Sequence, residues 1–253
     1  MIKKIFPNEL DLFNMSLKKT VPEPPQKKVD YRGFVVDKPW GYEYLMFENS
    51  HVAIWVLFLK NESKTSIHCH PKKKTSLLVL DGSVKTSSLD SVFSLQSMEG
   101  VIIDRGVFHS THAVSEHGAF VMEVETPVEK SDLVRLKDEY GRENLGYENR
   151  NSFSFDIEKY EYCDFHNESE EKEEVEKLIK NKTMKIYRLD TFDVVYEKVK
   201  KHHTKTLCPL NYKLVDSEGK VIVDVGDIIS VQDLPGDTLF SQPEKGLVSL
   251  LIG

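Results

Sequence analysis

Long apolar runs are missing from this chain. The longest, Val52–Leu59, has eight residues, far short of the ~20 that a membrane-crossing helix needs. No membrane partner is expected. Cysteine is scarce: Cys69, Cys163 and Cys208 are three in number and far apart, which argues against a disulfide framework and against paired-cysteine metal spacing. Reduced thiols are expected. Nor is there an excess of positive charge. Lys and Arg number 34 against 41 acidic residues, a net charge of −7, and the two signs are interspersed with no basic stripe for nucleic-acid phosphates. The basic start, Met1 to Lys4, meets Phe6-Pro-Asn-Glu9 instead of an apolar stretch, so no secretory signal is expected and the cytoplasm is the expected location. A small-molecule ligand fits these absences best.

What is present reads as an all-β protein in two units. Residues 1–33 carry Pro22, Pro24 and Pro25 among lysines and are expected to form an irregular arm over the surface. Residues 34–150 hold short runs rich in β-branched and aromatic residues, among them Val52–Leu59 and Ser76–Leu80. Asp81-Gly82 predicts a hairpin turn after the second run. The even spacing of these runs predicts a sandwich or barrel. Residues 151–183 form a linker. Within it Asn167–Lys180, acidic first and lysine-bearing later, is expected to be an exposed helix capped by Asn167. Strand signals return over 184–253, with a turn at Ser217–Lys220.

The chemistry concentrates in two segments. In Ser66-Ile-His68-Cys-His70 the two histidines lie two residues apart, so on a strand both project to one face and Cys69 to the other. Paired imidazoles begin a divalent metal site. Gly100–His109 adds a third imidazole after a glycine-punctuated turn. Glu123 and Glu125 alternate with Met122 and Val124, which places both carboxylates on one face of a strand; Glu123 is the candidate for proton transfer. Lys73 and Arg135 are candidates for binding an anionic substrate group, Arg by two parallel hydrogen bonds. Trp40, between Pro39 and Gly41, is a candidate for the barrel mouth or for stacking on a sugar ring. His112 and His117 are expected in a loop, and no role is assigned to His202 and His203.

His68-x-His70 with Gly82 downstream resembles the first cupin motif, and Gly100 through Gly106 to His109 resembles the second. The flanks, Lys38-Pro-Trp-Gly-Tyr-Glu43 and Asp132–Arg142, resemble the borders of type II mannose-6-phosphate isomerases over about residues 36–147. The resemblance implies a cupin double-stranded β-helix, that is, a jelly-roll barrel. It also implies a divalent metal (zinc, iron, nickel or manganese) on His68, His70 and His109, and pairing of the chain as a homodimer. The implied function is a metal-dependent isomerase or epimerase acting on a phosphorylated or nucleotide-linked sugar in surface-carbohydrate biosynthesis. Departures are equally plain. Thr75 stands where cupins place a glutamate ligand, Asp104 stands where the second motif has proline, and His68 replaces the glutamine usual in the isomerases. Loss of the carboxylate keeps two rival functions open, a three-His iron dioxygenase and a non-catalytic sugar-binding or regulatory cupin. A pocket of neutral, hydrogen-bonded histidines without metal is the rival for the site itself. In the C-terminal unit, Gly226–Asp233 resembles a cupin strand pair without its histidines. The unit therefore reads as a degenerate second cupin completing a bicupin, and no metal site is expected there.

Overall fold

The computed structural model describes residues 1–18, 29–143, 147–148, 150–168, 171–201, 204–235, 238–241 and 246–253. Pro22, Pro24 and Pro25, and His202 and His203, lie outside the described residues. The first unit comprises β1 (Ile2–Ile5), α1 (Glu9–Leu17), β2 (Val35–Lys38), β3 (Gly41–Glu48), β4 (Ala53–Leu59), β5 (Ile67–Cys69) and β6 (Lys74–Asp81). It continues through β7 (Ser83–Ser87), β8 (Val92–Gln96), β9 (Gly100–Ile103), β10 (Ser110–Ala113), β11 (Ala119–Thr126), β12 (Val134–Lys137) and β13 (Phe153–Ser154). One sheet has the order β1-β9-β6-β11-β4-β3-β2-β13 and faces β10-β7-β8 and β12-β5. Single bridges, Lys64 with His112 and His68 with His109, join β5 to the β10 side. From β4 to β11 the chain keeps crossing between the two layers, apart from the β7-β8 hairpin. That is the topology of a double-stranded β-helix.

The second unit has β14 (Glu174–Ile179), β15 (Lys182–Leu189), α2 (Phe192–Lys201), β16 (Thr206–Pro209), β17 (Lys213–Val215), β18 (Val221–Val223), β19 (Ile229–Ser230), β20 (Leu239–Ser241) and β21 (Leu247–Ile252). Its sheets run β14-β15-β21-β16-β19 and β18-β17-β20. Strand for strand this repeats β3-β4-β11-β6-β9 and β8-β7-β10 of the first unit, with every pairing antiparallel in both. One element differs in kind. Where the first unit has β5, the strand that carries His68, the second has α2, whose Val195 and Val199 are buried in that unit's own core.

The large sheet of the first unit is buried on both faces. Trp55, Leu57, Leu77, Val79 and Val121 point into its barrel. Ile54, Val56, Leu78, Met122 and Val124 pack with Met184, Ile186 and Leu250 of the second unit. The runs in β4 and β6 therefore read as continuously apolar, as doubly covered strands do. Ion pairs of Lys4 and Lys74 with the buried Asp227 join the two units, the first at 2.7 Å.

Four expectations are corrected. Asn167–Lys180 is not a helix. Glu174–Ile179 is the strand β14, paired with β15, because Val175 and Ile179 find apolar cover in the core between the units. Its glutamates pair across the strands, Lys185 with Glu174 at 2.8 Å and with Glu176 at 2.7 Å, so tertiary pairing overrides the helix signal. The opening residues are not irregular: β1 runs parallel to β9, and α1 starts with a capping box between Asn8 and Asp11. The prolines behind that expectation lie downstream of α1. Asp81-Gly82 is not a hairpin turn but a corner between layers, since β6 and β7 belong to different sheets. Gly82 has φ +78°, and a Cβ there would stand 2.5 Å from the Gly118 carbonyl oxygen. His112, finally, is on β10 and not in a loop.

Candidate metal centre and cavity

β5 carries His68, and His70 follows directly. His109 precedes β10 and lies opposite His68, the two backbones exchanging N–H···O bonds of 3.0 and 2.8 Å. Cys69 points the other way and is buried. The ring centroids of the three histidines are 4.5–5.4 Å apart, and their ligand nitrogens lie within 4.8 Å of one another.

Each ring is oriented from behind. The Nδ1–H groups donate to backbone carbonyls: His68 to Ser66 at 2.9 Å, His70 to Asp132 at 2.5 Å and His109 to Val107 at 3.0 Å. A carbonyl oxygen only accepts, so Nδ1 bears the proton and Nε2 keeps its lone pair. Burial pushes all three pKa values down, His109 to about 4 and His68 and His70 well below the usual histidine value, helped by the charge of Lys73 on His70 and by His109 on His68. The imidazoles are neutral at physiological pH. His70 Nε2 and Thr75 Oγ1 are buried without a hydrogen-bond partner among the described residues. Three neutral, pre-oriented nitrogens, one of them orphaned, fit a divalent transition ion, and they do not fit the oxygen-seeking calcium or magnesium.

The supports for this cluster come from distant parts of the chain. Asp132 accepts the Lys72 and Lys73 amides at 2.8 and 2.9 Å, clamping the turn after His70. Asp11 of α1, buried, accepts the Phe108 amide at 2.9 Å, next to His109. β12 pairs with β5 so that Arg135 lies opposite His68.

All seven predicted site residues, His68, His70, His109, Glu123, Lys73, Arg135 and Trp40, line one cavity. Glu123 and Glu125 are on the central strand β11 and point with Val121 into the barrel, opposite Met122 and Val124. Burial and the neighbouring Glu125 carboxylate raise the Glu123 pKa to about 7. Lys73, whose side chain is 1% exposed, binds Glu125 at 2.6 Å.

Further residues of the cavity were not singled out from the sequence. Lys130 bonds Glu43 at 3.0 Å and lies 3.4 Å from the Trp55 ring centre. Burial alone would raise the Glu43 pKa, but Lys130 and Lys38 outweigh it and hold it at about 2. Tyr147 donates to Glu43, Lys38 pairs with Glu148, and Arg142 reaches Glu148 at 2.6 Å and Asp138 at 2.8 Å. Glu43 and Arg142 stood inside the two recognised flanks. Lys130 had no signal at all.

No family model matches the chain, and no curated protein matches it. Among solved structures it resembles KdgF from Halomonas sp. at 12% identity, with a TM-score of 0.36 over 38% of this chain and 88% of that one. An RmlC-like cupin from Shewanella frigidimarina is similar at 11% identity and a TM-score of 0.36, covering 42% and 95% of the two chains. A cupin-superfamily structure from Silicibacter pomeroyi, described as a sugar phosphate isomerase, is similar at 13% identity and a TM-score of 0.32, covering 34% and 58%. In its strand order and its alternation between layers, this protein has a double-stranded β-helix fold.

Proposed function

We propose that the first barrel is a metal-dependent enzyme that moves a proton on a hydroxy-carbonyl sugar, phosphorylated or nucleotide-linked, as an isomerase or epimerase. The observation that carries this reading is a buried carboxyl group, Glu123, in the same cavity as the three histidines, where burial and the Glu125 carboxylate push its pKa up to about 7. A general acid–base works best with its pKa near the working pH. His68, His70 and His109 would hold the ion through Nε2, and the ion would supply Lewis-acid polarisation of the sugar's carbonyl and hydroxyl oxygens. Glu123 takes the proton from the carbon beside the carbonyl and returns it on the same face to the former carbonyl carbon, while the hydroxyl proton passes to the carbonyl oxygen. Glu125, fixed by Lys73, supplies the negative charge that keeps Glu123 basic. Trp40, Leu57 and Leu77 form the apolar wall. Arg135 offers a planar guanidinium for an anionic group.

The test is metal content first, then proton exchange. Purified protein is expected to carry near-stoichiometric metal that a His68→Ala/His109→Ala variant lacks. With metal-loaded protein in D2O, mannose 6-phosphate and related sugar phosphates are expected to take up deuterium beside the carbonyl. Glu123→Gln should keep its metal and lose at least ~100-fold in exchange rate. No metal after reconstitution, or an unchanged rate in Glu123→Gln, overturns the reading.

A further inference from the structure

One carboxylate of the histidine cavity does not come from the barrel. Glu43, Glu123 and Glu125 stand on strands β3 and β11, whereas Glu148 lies beyond β12 in no helix or strand. Three cations that line the same cavity hold it. Its Oε1 meets Arg142 at 2.6 Å and Arg135 at 3.6 Å, and its Oε2 meets Lys38. The side chains of Glu148, Lys38 and Arg135 are all less than a tenth exposed.

The cations do not depend on Glu148 for their positions. Lys38 ends β2 and keeps Glu43 at 3.4 Å, and Arg135 is fixed on β12. Arg142 is gripped by Asp138 through Nε at 3.0 Å and Nη2 at 2.8 Å. Together they form a preformed set of donors around the place of one oxyanion. The cavity itself is nearly full. Its free volume of about 70 Å³ has room for about two waters at ~30 Å³ each, against the ~300 Å³ or more usual for small-molecule sites. A phosphorylated sugar therefore enters only when a lining group gives way. Glu148 leaves at the least cost, because an incoming anion replaces it on the same three cations and no buried charge is left unpaired. The exchange favours a phosphate monoester. Near neutral pH it carries close to two negative charges and three free oxygens, one for each cation, where Glu148 offers one charge and two oxygens.

We propose that Lys38, Arg135 and Arg142 form the phosphate site of this cavity, and that Glu148 occupies it as an internal counter-ion until a substrate phosphate takes its place. This rests on the proposed function and deepens it: the substrate is a phosphate monoester, and uncharged sugars are refused because they cannot displace Glu148.

The experiment titrates methyl phosphate and methyl sulfate into the full chain by calorimetry at about pH 7.5, where the first is a dianion and the second a monoanion of the same shape. The wild type is expected to bind methyl phosphate at least tenfold more tightly than methyl sulfate. Glu148→Gln keeps the side-chain shape without the charge and is expected to tighten methyl phosphate at least tenfold. Arg135→Met added to it is expected to abolish the gain. Glu148→Asp, which draws the charge back by one methylene, is expected to change affinity in the same direction and serves in its place if circular dichroism shows Glu148→Gln unfolded. Equal or weaker binding by the folded Glu148 variant, equal affinity of the wild type for the two anions, or a gain that survives Arg135→Met overturns the site. Methyl phosphate has no carbonyl, so its binding is read independently of proton exchange. If the site behaves as expected and sugar phosphates take up no deuterium, the proposed function fails alone; if they take it up and the Glu148 variant gains nothing, the phosphate site fails alone.

Discussion

Replacing Glu123 by Gln removes a carboxyl whose pKa burial and the Glu125 carboxylate push up, and the consequence for stability has a definite sign. In the folded chain the Glu123 pKa is pushed up to about 7 from the ordinary glutamate value of 4.5. Between those values the folded state holds a proton that the unfolded state has lost, so unfolding releases it and stability falls as pH rises. The destabilisation begins near pH 4.5 and is complete above pH 7. At 1.36 kcal/mol per unit, the full effect is about 3 kcal/mol, most of it falling between pH 5 and pH 8. Gln carries no charge at either pH and should not show this fall. Urea unfolding of metal-stripped wild type and Glu123→Gln at pH 5 and pH 8 measures it directly. The variant should gain about 2 to 3 kcal/mol relative to wild type on going from pH 5 to pH 8. Glu123 and Glu125 interact, so the measured value belongs to the pair. A stability difference that is the same at both pH values would refute the account of Glu123 as an acid kept neutral by burial and by its neighbour.

Other consequences are as direct. Asp132→Ala frees the Lys72–Lys73 turn that presents His70 and should weaken zinc or nickel binding ~10- to 100-fold, read by calorimetric titration. Lys73→Met leaves the buried Glu125 carboxylate with only the longer ion pair to Lys130 at 3.6 Å and should cost about 3 kcal/mol in urea unfolding; Lys73→Met/Glu125→Leu should recover most of it, and a double variant no better than the single one would contradict this. Gly41→Ala places a Cβ 1.9 Å from the Phe58 carbonyl oxygen at φ +151°, so a loss of at least ~3 kcal/mol is expected in the same assay. Zinc at about 100 times its Kd should stabilise the wild type by about 2.7 kcal/mol and leave His68→Ala/His109→Ala unchanged, as followed by thermal unfolding.

Local pattern carried much of the site. In a strand, residues two apart share a face whatever the rest of the chain does, so His68 with His70, and Glu123 with Glu125, could be placed together by counting. The glycine-marked segment ending at His109 supplied the third imidazole. Other features depend on what lies across the core. Sequence alone read Asn167–Lys180 as a helix by its charge order, yet Val175 and Ile179 are claimed by the core between the two units and the segment becomes a strand. Nothing around Lys130 announces that its ammonium sits on Trp55 and Glu43, residues more than seventy positions away. The same holds for the carboxylates of β11, since alternation says only that they share a face. Whether that face meets solvent or a closed barrel is decided by the strands on either side, β4 and β6, and by the second unit packed behind. The sequence by itself determined the side-chain order along each strand, because that follows from backbone geometry. Tertiary structure alone decided which side chains are buried together, and hence which carboxyl is protonated near neutral pH, because desolvation and charge–charge interaction depend on distance through space.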